Sequence, residues 1–200
     1  MTLVALTQRV IHDPATGERR DGLDQRWWSF LAACGLTPLP LPNHLPTASR
    51  MVETLRPAGA ILTGGGDLAA LGGDTPERDE VETWLIDRTA AGMPVLGVCR
   101  GMQAILHRWG TVMGAVADHV RTEHPLTGPL GGRRVNSFHN LGACDLPEPL
   151  DVLARAPDGV VEAVGHRTAP ILGIMWHPER HEGCDPRDVA LFVNHFGASA

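Results

Sequence analysis

The 200-residue sequence has no lysine and no tyrosine, so its 17 basic side chains are all arginine. Without lysine there is no amine for Schiff-base chemistry and no P-loop lysine to hold a nucleotide's terminal phosphates. No run of 18 apolar residues occurs, which argues against a membrane span. The opening MTLVALTQRV has no basic leader followed by a long apolar core, so export is not expected and a cytoplasmic location is. The four cysteines, Cys34, Cys99, Cys144 and Cys184, show no C-x-x-C spacing, and a disulfide framework is not expected. No GxxxxGKS, HExxH or paired metal-ligand spacing is found, so no metal and no organic cofactor is expected. Net charge is −6 and the arginines are scattered, which disfavours a nucleic-acid partner.

What remains is ordinary globular composition, 43% hydrophobic and 20% charged, at a length that suits one domain over residues 1–200. The apolar runs at 3–6, 59–64 and 94–98 read as strands. The stretches 22–35, 79–92 and 185–197 have helical spacing, with Asp21 as a candidate N-cap of the first. TPLPLP at 37–42 suits a proline-limited edge strand. Between 111 and 170 only short strand-like pieces stand out, RRVNSF (133–138) and VVEAVG (160–165), followed by ILGIMW (171–176). Alternating strands and helices predict an α/β fold with a mostly parallel sheet covered on both faces. In such sheets the site lies beyond the carboxyl ends of the strands, which would gather TQR, TGGGD, CRGMQ and WHPER.

GVCRG has the small-x-nucleophile-x-small form of a strand-to-helix elbow, with Cys99 at its centre. A helix starting at Arg100 would aim its free N–H groups and positive dipole end at the sulfur, favouring thiolate. A cysteine acting on an acyl group needs a base and a group to orient that base. In extended geometry His177 and Glu179 share a face, so Glu179 can fix the imidazole's tautomer. The glycines of TGGGD let backbone approach a reacting carbonyl, and their N–H groups with that of Arg100 are candidates for an oxyanion hole. Cys34 is expected in the core, and Cys144 and Cys184 have no expected role. Trp27 and Trp28 are read as core packing.

Taken together and in this order, GGGD, GVCRGMQ and WHPE resemble the class I glutamine amidotransferase family. That resemblance implies a flavodoxin-like domain whose Cys-His-Glu triad hydrolyses a gamma-glutamyl amide through a thioester. It implies Cys99 as nucleophile, His177 as base, Glu179 as its orienter, Gly64 and Arg100 as oxyanion-hole amides, and Gln103 as a contact for the glutamyl backbone groups. VNSFHN (135–140) is similar to the VNSxHHQ stretch of gamma-glutamyl hydrolases of the peptidase C26 type, which implies Ser137, Phe138 and His139 as pocket contacts. Asn140 and Leu141 depart from that pattern. ALTQRV and RRDGLDQRWW further resemble the branch that frees glutamate from gamma-glutamyl-CDP-amidate, leaving cytidine diphosphoramidate for capsule modification. In that setting Gln8 and Arg9 would stand on the leaving-group side, and Arg9, Arg19 and Arg20 could meet a diphosphate. The partner expected is thus a small gamma-glutamyl amide. Rival readings are a gamma-glutamyl-GABA-type hydrolase, a glutaminase subunit delivering ammonia to a synthase, and a catalytically inactive binding module.

Overall fold

Apolar runs too short for helices become strands buried on both faces. In the computed structural model, which describes residues 2–198, this is the fate of GAIL, VLGV and ILGI. In chain order the strands are β1 (Thr2–Leu6), β2 (Arg9–His12), β3 (Arg19–Gly22), β4 (Leu36–Pro40), β5 (Gly59–Leu62), β6 (Val95–Val98), β7 (Gly114–Ala115), β8 (Val120–Leu126), β9 (Arg133–Phe138), β10 (Leu141–Gly142), β11 (Leu150–Arg155), β12 (Val161–His166) and β13 (Ile171–Ile174). The helices are α1 (Arg26–Ala33), α2 (Leu45–Leu55), α3 (Pro76–Asp87), α4 (Arg100–Arg108) and α5 (Pro186–Phe196).

Seven strands form one sheet in the order β11-β12-β13-β6-β5-β1-β4. From β13 to β4 the neighbours run parallel, and β11 and β12 are added antiparallel at one edge. Trp27, Phe30 and Leu31 of α1 and Phe192 and Phe196 of α5 cover one face. Ala48 and Val52 of α2, Val81, Leu85 and Ile86 of α3, and Ile105 of α4 pack with the opposite core cluster. The result is the expected α/β layering. At the β4 edge, Leu41 N donates to Leu6 O at 2.8 Å, which sets the phase of the strand's remaining N–H groups. Among the described residues, no helix is long and apolar enough to cross a membrane.

Several local expectations shift. The first helix begins at Arg26 rather than at residue 22, because RRDG pairs with RVIH as the β2–β3 hairpin. Asp21 therefore caps nothing and instead accepts from Asn43 N and Nδ2 at 3.0 and 2.7 Å. Helix α2 carries no expectation from the sequence, since only Ala48 and Val52 of its eleven residues are buried. Trp27 lies in the core, but Trp28, one position round the helix, is 41% exposed. RRVNSF is a strand over its whole expected length, yet it pairs with β8 in a separate two-stranded sheet.

The junction of β6 and α4 is closely packed backbone against backbone. A Cβ on Gly97 would lie 2.5 Å from the carbonyl of Gly101, and one on Gly101 would overlap Leu62 O of β5. Helix α4 can therefore start directly against two strands only because both residues lack side chains. Gly101→Ala is expected to destabilise by at least the usual overpacking cost of about 1–3 kcal/mol, since backbone must move. Denaturant unfolding checks this; an unchanged midpoint would contradict the packing.

Candidate active site

Cys99 sits between β6 and α4 with φ 52° and ψ −107°, a backbone conformation that side-chain-bearing residues rarely adopt. Its N–H donates to Ile174 O at 2.7 Å and its carbonyl accepts from Gln103 N at 3.0 Å, so both sheet and helix hold the strained residue. This is the geometry expected of GVCRG. The side chain is 7% exposed at the N-terminus of α4.

His177, which follows β13 by two residues, is 2% exposed. Its Nδ1 donates to Glu179 Oε1 at 2.6 Å, which leaves Nε2 for chemistry. Burial alone would lower its pKa, but hydrogen bonding with the Cys99 side chain and with Glu179 outweighs this and lifts it to about 9. A methyl added at Gly64 would lie 2.6 Å from His177 Cε1 and 3.5 Å from Cys99 Cβ, so imidazole and cysteine flank the same glycine. Asn136, which carries no expectation from the sequence, grips His177's backbone in both directions. His177 N donates to Asn136 Oδ1 at 2.8 Å, and Asn136 Nδ2 donates to His177 O at 2.9 Å.

The loop Thr63–Gly65 after β5 is held from below. Arg78 donates to Gly65 O at 2.7 Å and also to Thr63 O. In a trans peptide the N–H points opposite to the preceding carbonyl, so anchoring Thr63 O turns the Gly64 N–H away from Arg78. Glu82, fully buried, accepts from Arg78 Nε at 2.8 Å, from Thr7 Oγ1 at 2.7 Å and from Arg100. Asp79 accepts from Arg100 Nη2. Burial raises the Glu82 pKa, but Arg78 and Arg100 together hold it below the ordinary carboxylate value. The Arg100 side chain is thus structural, and only its backbone faces the elbow. Neither Arg78 nor Glu82 stands out in the sequence.

Two neighbouring hollows share His177, Gly65 and Arg180 in their walls. One, of about 310 Å³, is lined by Cys99, Gln103, Phe138, His139, His177 and Arg180 together with Gly65, Gly66 and Asp67. The other, of about 200 Å³, lies between the β2–β3 hairpin and the Thr63–Gly65 loop and includes Arg9. Of the residues singled out in the sequence, Cys99, His177, Glu179, Gly64, Gln103, Phe138, His139 and Arg9 therefore come together. Ser137 does not. Alternation along β9 sends Asn136 and Phe138 towards His177 and turns Ser137 inwards, where its hydroxyl donates to His119 O at 2.7 Å. Gln8 also faces elsewhere, its Nε2 donating to Leu41 O at 2.9 Å. Arg19 and Arg20 are surface residues paired with Glu77 and Glu18. Cys34 is buried, which pushes its thiol up to about 12; Cys144 is exposed.

The peptidase C26 family profile matches residues 2–128 and 119–179. The chain belongs to the peptidase C26 family. This C26 protein is therefore a hydrolase with a glutamine amidotransferase-like fold. It is 30% identical to the gamma-glutamyl-CDP-amidate hydrolase of Campylobacter jejuni, over 90% of this chain and 91% of that one. It is 27% identical to one component of the glutamine-hydrolysing GMP synthase of Thermococcus kodakarensis, over 77% of this chain and 82% of that one. A solved structure from Thermoplasma acidophilum, assigned as a GMP synthase component, superposes with a TM-score of 0.73 at 20% identity, covering 98% and 94% of the two chains.

A His177 pKa near 9 means the imidazolium is present below that value and lost as pH rises through it. The rate of substrate cleavage is expected to decline along an alkaline limb near pH 9. Glu179→Gln removes the charge that supports the imidazolium, so the limb should move to lower pH and kcat should fall on the order of 10²-fold or more. A pH–rate profile unmoved by Glu179→Gln would contradict this electrostatic account.

Proposed function

We propose that this C26 protein cleaves a gamma-glutamyl amide and releases glutamate, with Cys99, His177 and Glu179 as the catalytic triad. The observation that carries the reading is the strained Cys99 turn facing a Glu179-oriented His177 across Gly64. The Cys99 thiolate attacks the gamma-carbonyl carbon, and the backbone N–H groups of Gly64 and Arg100 hold the resulting oxyanion. Collapse breaks the C–N bond, the departing nitrogen takes its proton from His177, and a thioester to Cys99 remains. His177, now neutral, removes a proton from water as it attacks the thioester. The thiolate leaves and glutamate departs. Gln103, Phe138 and His139 form the wall on the glutamyl side. Gln103 reaches that wall through Leu141 O, to which its Nε2 donates at 3.0 Å.

The leaving group on this reading is nucleotide-linked, as in gamma-glutamyl-CDP-amidate. Support comes from a groove of about 620 Å³ that shares Phe138 and Arg180 with the Cys99 hollow and in which Arg26, Arg134, Arg187 and His181 outnumber the carboxylates Glu123 and Glu182. Arg26 and Arg187 are tied to Asp24 and Asp185, whereas Arg180 pairs more loosely, its Nε 3.6 Å from Glu179 Oε1, and its guanidinium stacks 4.4 Å from the Phe138 ring. A planar fork beside an aromatic face suits a phosphate ester better than a bare amide. The similarity to the Campylobacter enzyme points the same way.

Glutamate release by the purified chain from gamma-glutamyl-CDP-amidate, gamma-glutamyl-GABA and glutamine tests the reading. The nucleotide amide is expected to be preferred, and Cys99→Ala to abolish release from all three. Arg180→Ala is expected to raise KM for the nucleotide amide by roughly tenfold or more, and by more than it raises KM for glutamine, since a charged hydrogen bond contributes about 1.5–3 kcal/mol. Preference for glutamine would instead favour a subunit that supplies ammonia to a synthase, and turnover by Cys99→Ala would overturn the mechanism.

A further inference from the structure

Beneath the β8–β9 hairpin, three donor atoms from distant parts of the chain converge. His119 Nδ1 lies 3.1 Å from His139 Nε2, and each lies 3.2 Å from Glu162 Oε1 of β12. All three residues are buried, Glu162 completely. The outer ring nitrogens are already committed. His119 Nε2 faces Asp158 Oδ2 at 2.9 Å, and His139 Nδ1 faces Leu141 O at 3.1 Å. A carbonyl and a carboxylate only accept, so these outer nitrogens are the donors of those contacts. The two inner nitrogens converge on each other and on one carboxylate oxygen.

We propose that His119, His139 and Glu162 bind one divalent, zinc-like ion. Ligands about 2.0–2.1 Å from a tetrahedral zinc lie about 3.3 Å from one another, close to the spacings seen here. Two imidazoles and a carboxylate are ligands that zinc accepts, and a histidine backed by an outer carboxylate or backbone carbonyl is the usual support of such a ligand. His124 Nε2 stands 3.4 Å from Glu162 Oε2, and both of these buried atoms lack a hydrogen-bond partner. Unsatisfied polar atoms at this depth fit a cluster with a further member. The ion would fasten the hairpin and the Leu141 loop to β12. Because His139 lines the Cys99 hollow and Leu141 O holds Gln103, it would stiffen one wall of the site. The ligands lie 20 and 23 residues apart, which is why no spacing motif reveals them.

The test uses the full chain carrying Cys99→Ala, which removes the thiolate beside His177 as a rival metal ligand. The metal-free protein is titrated with zinc by calorimetry, ion content is measured after desalting, and Tm is recorded with and without the ion. Cobalt serves as a spectroscopic probe. Expected are one ion per chain, a higher Tm, and a cobalt spectrum without a sulfur-to-metal charge-transfer band. Asp158→Asn should weaken binding about 10–100-fold by removing the orienting carboxylate, and Glu162→Gln should abolish it. Should Glu162→Gln fail to fold, Asp158→Asn decides, because that side chain is 48% exposed and its replacement leaves the core intact. Absence of a stoichiometric ion in the Cys99→Ala chain would overturn the proposal and leave a shared proton as the occupant. Binding undiminished by Asp158→Asn would overturn it equally.

Discussion

Glu82 has no exposed surface, and its two oxygens are shared among Thr7 beyond the end of β1, Arg78 in its own helix, and Arg100 at the start of α4. Three segments that border the site are thereby fixed by one carboxylate. Thr63 is drawn in as well, its N–H donating to Thr7 Oγ1 at 3.1 Å and its hydroxyl to Thr7 O at 2.8 Å. Breaking a buried ion pair by removing one partner typically costs about 3–5 kcal/mol, because the remaining charge has no water to turn to. Here Arg78 would lose its carboxylate and Arg100 would be left with Asp79 alone. The Gly64 loop and the cysteine elbow consequently behave as one rigid unit.

That rigidity is what permits the backbone at Cys99. A residue held at φ 52° and ψ −107° stores on the order of 1–3 kcal/mol of strain and persists only where its surroundings leave no alternative. The sheet supplies one restraint through Ile174 O, the first turn of α4 supplies another through Gln103 N, and the glycines at 97 and 101 remove the side chains that would block the turn. Asn136 plays the corresponding part for His177, fixing its backbone while Glu179 fixes its ring. Cys99 and His177 are thus positioned by different machinery, the first by sheet and helix and the second by a hairpin outside the main sheet.

What was legible in the sequence follows from how local each feature is. The elbow GVCRG and the pair in WHPE announce themselves because the chemistry and its geometric support lie within a few residues. Central strands such as GAIL are readable because burial on both faces leaves no polar position. Arg78 and Glu82 are invisible by the same logic, since charges in a helical stretch read as a solvated face and only the fold turns this one inwards. Alternation along β9 puts Asn136 and Ser137 on opposite faces, but which face meets His177 depends on contacts 41 residues away that no local window contains. Ser137 was singled out by its motif. Its neighbour is the residue that touches His177.

Pro38 and Pro40 in β4 have a consequence for how copies of this chain can associate. Leu41 N points inwards to β1, so by alternation the nitrogens at positions 38 and 40 point outwards, where proline has no hydrogen to offer. At the opposite side, β11 is screened where Leu130 N bonds to Leu153 O and Thr127 bridges Arg155. A strand from another copy would find no regular ladder of donors at either border. The main sheet therefore has little to offer an added strand at either border, and the proline edge acts as a built-in stop on its growth.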